Sequence, residues 1–376
     1  MPPDARGPDA RSPDARGIGF GSRAPLSVAL DWIKAHVAVL PSEPVPAPDA
    51  LGRVLTSGPP GGPWPLADRA GTDGYAVHAA ETLGASGYNP LPLPSAIPVA
   101  SGEPLPPGTD AVAAFASVGR QGPAFLALTP VPRGAGVERR GAEGDAPLPG
   151  LLRPESLALL ALLDMTVIQA VRRPRVALVA AGPKSGPDVL TPMLRALVAR
   201  DGGVAIVPSG IEAASHAGAD LVLLAGRTGC GMDDDMPHRF TAAGGVLDLH
   251  GIAFRPGDTA GLGRLGGVPA VLLPGSPLAA LSVYEVLAGP AIRRLGGWAD
   301  APAHLQRPAV LERKVTSAIG CTDMVRVRLH GGRATPLGPA DSGGLGRAVL
   351  ADGWLMVPEG GEGYPAGAAV TVHCPA

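Results

Sequence analysis

The loop AGRTGCGMDDD at 225–235 carries the residue types best suited to chemistry in this chain. An apolar run precedes it and a helical pattern follows. Glycines let backbone N–H groups approach a phosphate, and the start of a helix favours an anion. Asp234, with Asp233 and Asp235 beside it, adds a carboxylate that suits a cation. The same acids also suit a first helical turn with no ligand, because they complement its dipole. LLPGSP at 272–277 repeats the arrangement: Pro274, Gly275 and Ser276 leave an apolar run, and Pro277 suits the first helical position. Between them, FRPGD at 254–258 sets Arg255 and Asp258 three residues apart. Far upstream, TDGYAV at 72–77 places Asp73 before Gly74, which fits a turn aspartate as well as a site group.

The elements that position these loops follow from the pattern. Residues 172–296 alternate strand and helix, with strands at 175–182, 204–208, 220–226 and 269–275 and helices at 187–200, 236–245 and 277–289. Near-continuous apolar strands between helices imply a buried parallel sheet with right-handed crossovers. The loops at 226–231 and 275–276 then leave the carboxyl ends of strands, where open α/β sheets bind ligands. Upstream, Val28, Leu30, Ile33, Val37 and Leu40 recur at helical spacing, and ALGRVL at 50–55 reads as a second short helix. Residues 90–133 are proline-rich with alternating apolar positions, a small β domain. Residues 151–165 return to helix, with Ser156 as a cap. Residues 305–376 show short strands and glycine turns without a helical period.

Composition narrows the class. A net charge of −2 with 17% charged residues excludes the basic stripe of a nucleic-acid surface. Hydrophobic content of 45% with only 3% aromatics calls for a core of Ala, Val and Leu. Cys230, Cys321 and Cys374 form neither a disulfide framework nor a zinc pattern. No apolar run reaches the ~20 residues of a membrane span, and no secretory signal is evident, so a cytoplasmic location is expected. The repeats PDARG, PDARS and PDARG at 3–17 offer one apolar Ala each and read as a disordered tail. The eight histidines show no metal-ligand spacing, and His250 reads as a strand-end residue.

In this order, TDGYAV, SGEPLPPGTDAV (101–112), FRPGD and LLPGSP resemble the molybdopterin molybdenumtransferases, the MoeA and gephyrin E-domain family. PRVALVAAG, AGADLVLLAG and the ending MVPEGGEGYPAGAAVTV fall in the same order, so the resemblance spans about residues 25–376. It implies an α/β plus β fold in an elongated multi-domain chain: a tail at 1–24, a helical linking domain at 25–88 and 134–171, an inserted β domain at 89–133, a MogA-like molybdopterin-binding domain at 172–300 and a C-terminal β domain at 301–376. It implies binding of molybdopterin or adenylyl-molybdopterin, use of molybdate, magnesium-assisted hydrolysis of the adenylate, and a homodimer in which Asp73 reaches the partner subunit's site. It also implies Asp234 as catalytic carboxylate and metal ligand, with Arg255 as the third catalytic group. Ser101, Gly226, Thr228, Gly231, Pro274, Gly275, Ser276, Arg326 and Ser342 stand at cofactor-binding positions.

Several family positions are changed. Arg227 stands at the family's second loop glycine, Gly229 at its serine, Ser276 at an asparagine and Ala279 at a serine. A lysine pair in the family becomes Arg255 and Asp258, and an acidic residue becomes Lys184. Two alternative functions stand beside the transferase: a non-catalytic molybdopterin-binding carrier or chaperone for a molybdoenzyme, and a dimeric protein-binding scaffold; the expected protein partner is a molybdoenzyme or another cofactor-biosynthesis protein.

Overall fold

The computed structural model describes residues 16–17, 19–57, 63–143, 150–182, 186–298 and 304–375. The PDAR repeats lie almost wholly outside the described residues, as does Lys184. The chain forms two compact units, Met1–Thr56 with Gly150–Arg153 and Gln169–Ala376, and Ser57–Pro149 with Pro154–Ile168.

The first unit is built on a six-stranded sheet. Its strands are β1 (Arg175–Ala180), β2 (Val204–Ile206), β3 (Leu221–Ala225), β4 (Gly245–His250), β5 (Gly261–Leu265) and β6 (Val268–Leu273). The order is β2-β1-β3-β6-β5-β4. The first four are parallel, while β5 and β4 join antiparallel, so the sheet is mixed rather than wholly parallel. The reason is local: Gly266 and Gly267 turn the chain straight from β5 into β6 with positive φ, leaving no room for a crossover helix. Strands β3 and β6 bury nearly every side chain, as parallel strands covered on both faces must.

Helix Leu26–His36 buries Leu26, Ala29, Trp32 and Ile33, while Val28 stays exposed, so the apolar face is rotated from the expected one. The expected helix at 50–55 is absent: a short 3₁₀ turn at Ala47–Asp49 leads into a turn, and Val54 and Leu55 make β-bridges to Leu151 and Ala170. After β6 the chain runs as one helical rod from Pro277–Val283 through a π-turn at Tyr284–Ala288 into Gly289–Leu295. A buried ionic network clusters at that π-turn. Arg200 pairs with both oxygens of Glu285 at 2.8 and 2.9 Å, and Arg293 meets Asp201 at 2.6 Å.

The C-terminal residues form a second six-stranded sheet. Pairing between Thr322–His330 and Gly353–Val357 closes five of its strands into a small barrel around Leu311, Val325, Val327, Leu355 and Val372. Leu345–Leu350 is a short helix there, where no helical period was expected; it starts after Gly344 and none of its residues is fully buried.

The second unit contains two three-stranded sheets and a two-stranded ribbon. Gly74–Val77 sits at the centre of one, between Ile97–Val99 and Ala111–Ala113. Val77, Leu93, Ala111, Ala113 and Ala127 fill its core. The helix of this unit starts at Pro154, and Ser156 is a buried residue within its first turn rather than its cap.

Candidate functional site

Three strand ends converge at the point where the strand order reverses. β2 lies on one side of β1 and β3 on the other, which opens a crevice at their carboxyl ends. The Ala181 N–H bonds to the Ala225 carbonyl at 2.7 Å, and the Gly226 N–H bonds to the Leu273 carbonyl at 2.9 Å. These bonds tie the exits of β1, β3 and β6 into one floor. Gly226 has φ +94°, a conformation that side-chain-bearing residues rarely adopt.

Two cavities lie on that floor and share Arg227, Asp234 and Gly275. One, of about 280 Å³, is walled by Gly226, Asp188 and Leu190. The other, of about 350 Å³, is walled by Thr228, Gly229, Asp258, Thr259 and Ser276. The rod of 277–295 begins at the second cavity. Ser276 is exposed, precedes its first turn and makes no side-chain capping hydrogen bond.

Asp234 folds back over its own loop: Oδ2 accepts the Gly231 N–H at 2.7 Å. Gly229 makes room for this, because a Cβ there would sit 2.6 Å from that oxygen. Arg227 has φ +56°, and its Nη1 lies 3.7 Å from Asp235 Oδ1, an ion pair beyond hydrogen-bond reach. Thr228 is buried, with Oγ1 3.1 Å from Thr259 Oγ1. His250, at the end of β4 as expected, holds the loop by donating from Nε2 to the Thr228 carbonyl at 2.9 Å. Burial lowers its pKa, which keeps the ring neutral near pH 7.

Of the residues singled out in the sequence, Gly226, Thr228, Asp234, Pro274, Gly275 and Ser276 line the two cavities, and Gly231 bonds to Asp234. Arg255 is committed elsewhere: its Nε and Nη2 donate to both oxygens of buried Asp323 at 2.8 and 2.9 Å, and that hydrogen bonding raises its pKa. Arg326 is buried, donates to Ser282 Oγ at 3.0 Å and stacks over Trp354, with its Nε unpaired. Burial pulls its pKa down to about 10. Ser342 accepts from Arg347 at 2.7 Å in the loop before the short C-terminal helix. Asp73 and Ser101 belong to the second unit, where they meet: Asp73 Oδ1 accepts the Ser101 N–H at 2.8 Å.

Asp188 escaped the sequence reading. Its Oδ1 accepts the N–H groups of Leu190 and Thr191 at 3.1 Å, capping helix Leu190–Arg200 at the edge of the first cavity. Hydrogen bonds from Thr191 and Leu190 hold its carboxyl below the usual range. The signal was present: an Asp two residues before an apolar helical run is a capping pattern.

The donor set does not suit a chelated magnesium ion. Among the described residues, no three His, Cys, Asp or Glu side chains converge as ligands. Asp234 and Asp188 each spend an oxygen on backbone N–H groups.

Fold and loops together define a class: a multidomain α/β protein with a backbone cradle, receptive to anions, at the switch point of its sheet. Three family models match in chain order. "MoeA N-terminal region (domain I and II)" covers residues 24–161, "Probable molybdopterin binding domain" covers 191–294, and "MoeA C-terminal region (domain IV)" covers 308–374. The chain is 29% identical over 346 residues to molybdopterin molybdenumtransferase 2 of Mycobacterium tuberculosis, covering 78% of this chain and 85% of that one. It is 24% identical over 361 residues to the molybdopterin molybdenumtransferase of Staphylococcus aureus, covering 82% and 85%. A solved molybdopterin biosynthesis MoeA protein from Pyrococcus horikoshii superposes with a TM-score of 0.73 at 26% identity, over 94% of this chain and 99% of that one. The chain belongs to the MoeA family of molybdopterin molybdenumtransferases.

Proposed function

We propose that this chain acts in molybdenum cofactor biosynthesis as a molybdopterin molybdenumtransferase. The observation that carries this reading is the cradle itself: three strand exits and a helix start converge on one floor, in a chain matched along its length by MoeA family models. The phosphate of molybdopterin, or of its adenylylated form, lies on backbone N–H groups of 227–230 and 275–276, because those of Gly226 and Gly231 already donate to Leu273 and Asp234. Backbone donors and a helix dipole suit an anion whose charge must be held without being titrated. The shared wall at Gly275 lets one ligand occupy both cavities. Fixing the phosphate fixes the pterin's two sulfurs, so molybdate meets a positioned pair. Insertion then forms two S–Mo bonds and breaks one Mo–O bond; that oxygen leaves as water with the two thiol protons, and no redox change is needed. Among the described residues the carboxylates do not converge on a cation, so the chain's own part in this step is to hold and orient the ligand.

The test is complementation of a bacterial strain lacking its own molybdenumtransferase. Expression of the full chain restores molybdoenzyme activity. Soluble, folded chain that binds molybdopterin yet restores nothing would overturn the transferase reading and leave a carrier.

The same reading includes a homodimer with a composite site. Asp73 supports it: the residue is exposed, with one carboxylate oxygen oriented by the Ser101 N–H, and it lies outside the unit that carries the cradle. Sedimentation at micromolar concentration shows a dimer. An Asp73→Asn chain mixed and reassembled with a cradle-blocked chain regains about a quarter of the wild-type sites, as random pairing of a two-fold dimer requires. No recovery on mixing, or monomer alone, refutes the shared site.

A further inference from the structure

Gly17 and residues 19–24, expected to belong to the tail, form a strap against the loops around the second cavity. Three attachments fix its course. The Gly17 N–H bonds to the Cys230 carbonyl in the glycine-rich loop at 2.8 Å. Phe20 packs edge-on against His250 with ring centroids 4.8 Å apart. Ala24 makes a parallel bridge to Ile252, with hydrogen bonds of 2.9 Å to Gly251 and 2.7 Å from Ala253. The strap delivers Arg23 to Asp258, where Nη2 donates to Oδ2 at 2.7 Å. The guanidinium also lies over the Phe20 ring, 5.2 Å from its centroid.

This placement answers an electrostatic difficulty. Among the described residues that line it, the second cavity presents the carboxylates of Asp234 and Asp258 and one cation, Arg227. Without a further cation, an oxyanion entering it meets net negative charge. Arg23 cancels that excess. It spends one nitrogen on Asp258, whereas a guanidinium has five N–H donors. Among the described residues, its Nε and Nη1 have no hydrogen-bond partner, and the side chain is about a third exposed. Planar, forked donors of that kind match tetrahedral oxyanions.

We propose that Arg23 is an oxyanion-binding residue of this transferase: the strap carries it to the cavity rim, Asp258 orients it, and its remaining N–H groups contact either the molybdate or the phosphate of molybdopterin. The proposal rests on the transferase reading and assigns to it a residue that lies more than 200 positions from the cradle.

Full-length chain is titrated with molybdate and, separately, with molybdopterin, and each variant is checked by its melting curve. Arg23→Ala lowers affinity by about tenfold or more in at least one titration; the titration affected identifies which oxyanion Arg23 holds. Arg23→Lys keeps the charge without the fork and falls between wild type and Arg23→Ala. Asp258→Asn leaves Arg23 in place and binds at least as well as wild type. The Arg23→Ala/Asp258→Ala double variant stays weaker than wild type, because the donors are gone even though the carboxylate is too. Two results overturn the proposal while sparing the transferase reading: Arg23→Ala unchanged in both titrations, or the double variant restored fully to wild type, which would reduce Arg23 to a neutraliser. Wild-type chain that binds neither ligand overturns the transferase reading, and the proposal with it.

Discussion

Gly275→Val weakens molybdopterin binding by roughly a hundredfold, equivalent to about 2.7 kcal/mol, while the chain keeps its fold. The two halves of that expectation come from different contacts. A Cβ at Gly275 would meet only Gly226 Cα at 3.5 Å and Arg227 N at 3.6 Å, ordinary van der Waals distances, so the floor tolerates a side chain. Yet Gly275 is a wall of both cavities, so a branched side chain occupies the volume the phosphate needs and screens the N–H groups beneath it. Gly226→Val is the poorer experiment. Its φ of +94° and a Cβ only 3.3 Å from the Ala181 carbonyl would strain the floor, so lost binding there could reflect lost structure. Calorimetry with molybdopterin, paired with a melting curve, reads the Gly275 result. Unchanged affinity in a normally melting Gly275→Val chain would place the phosphate somewhere other than this cradle.

The parts of this site that sequence could reveal are those defined by local chemistry. Gly226, Gly231 and Gly275-Ser276-Pro277 announce strand exits and a helix start within a few residues, because turn geometry and first-turn preferences act locally. The parallel strands were legible for the same reason: five consecutive apolar residues at 221–225 can only be buried. What escaped was set by pairs distant in the chain. Nothing within FRPGD indicates that Arg255 serves Asp323, 68 residues on, or that Asp258 is answered by Arg23, 235 residues back. Arg326 illustrates the same limit. On a strand it reads as solvated or as facing a ligand, and only the packing of Trp354 and Ser282 around it shows it buried. The antiparallel edge of the sheet was likewise hidden, since a two-glycine hairpin and a crossover both begin with a turn.

Asp201→Ala destabilises the cradle-bearing unit by about 3–5 kcal/mol, the usual cost of removing one partner from a buried ion pair, and lowers its melting temperature on the order of 10 °C. Asp201 is 5% exposed and accepts from Arg293 Nη1 at 2.6 Å, Tyr284 Oη at 2.9 Å and Arg200 Nη2 at 3.0 Å. Alanine leaves the buried Arg293 cation uncompensated and the Tyr284 hydroxyl without its acceptor. Disruption at the π-turn also reaches the rod whose first turn forms the second cavity. An exposed pair supplies the contrast: Lys34–Asp31, with both side chains more than two-thirds exposed, costs at most about 1 kcal/mol when broken. The same network sets an acid limit. Burial alone would raise the Glu285 pKa, but hydrogen bonds from His304 and Arg200 override it and hold the carboxylate at about 2, below its ordinary 4.5. Because the folded value is depressed, the stabilisation is complete above pH 4.5 and is lost as pH falls toward 2. Glu285→Gln therefore flattens the fall in stability across that window, although it starts from a less stable protein at pH 7. Thermal melts of the three proteins between pH 2 and 7 measure both effects; an Asp201→Ala chain melting within about a degree of wild type would show that the network contributes specificity of packing and no net stability.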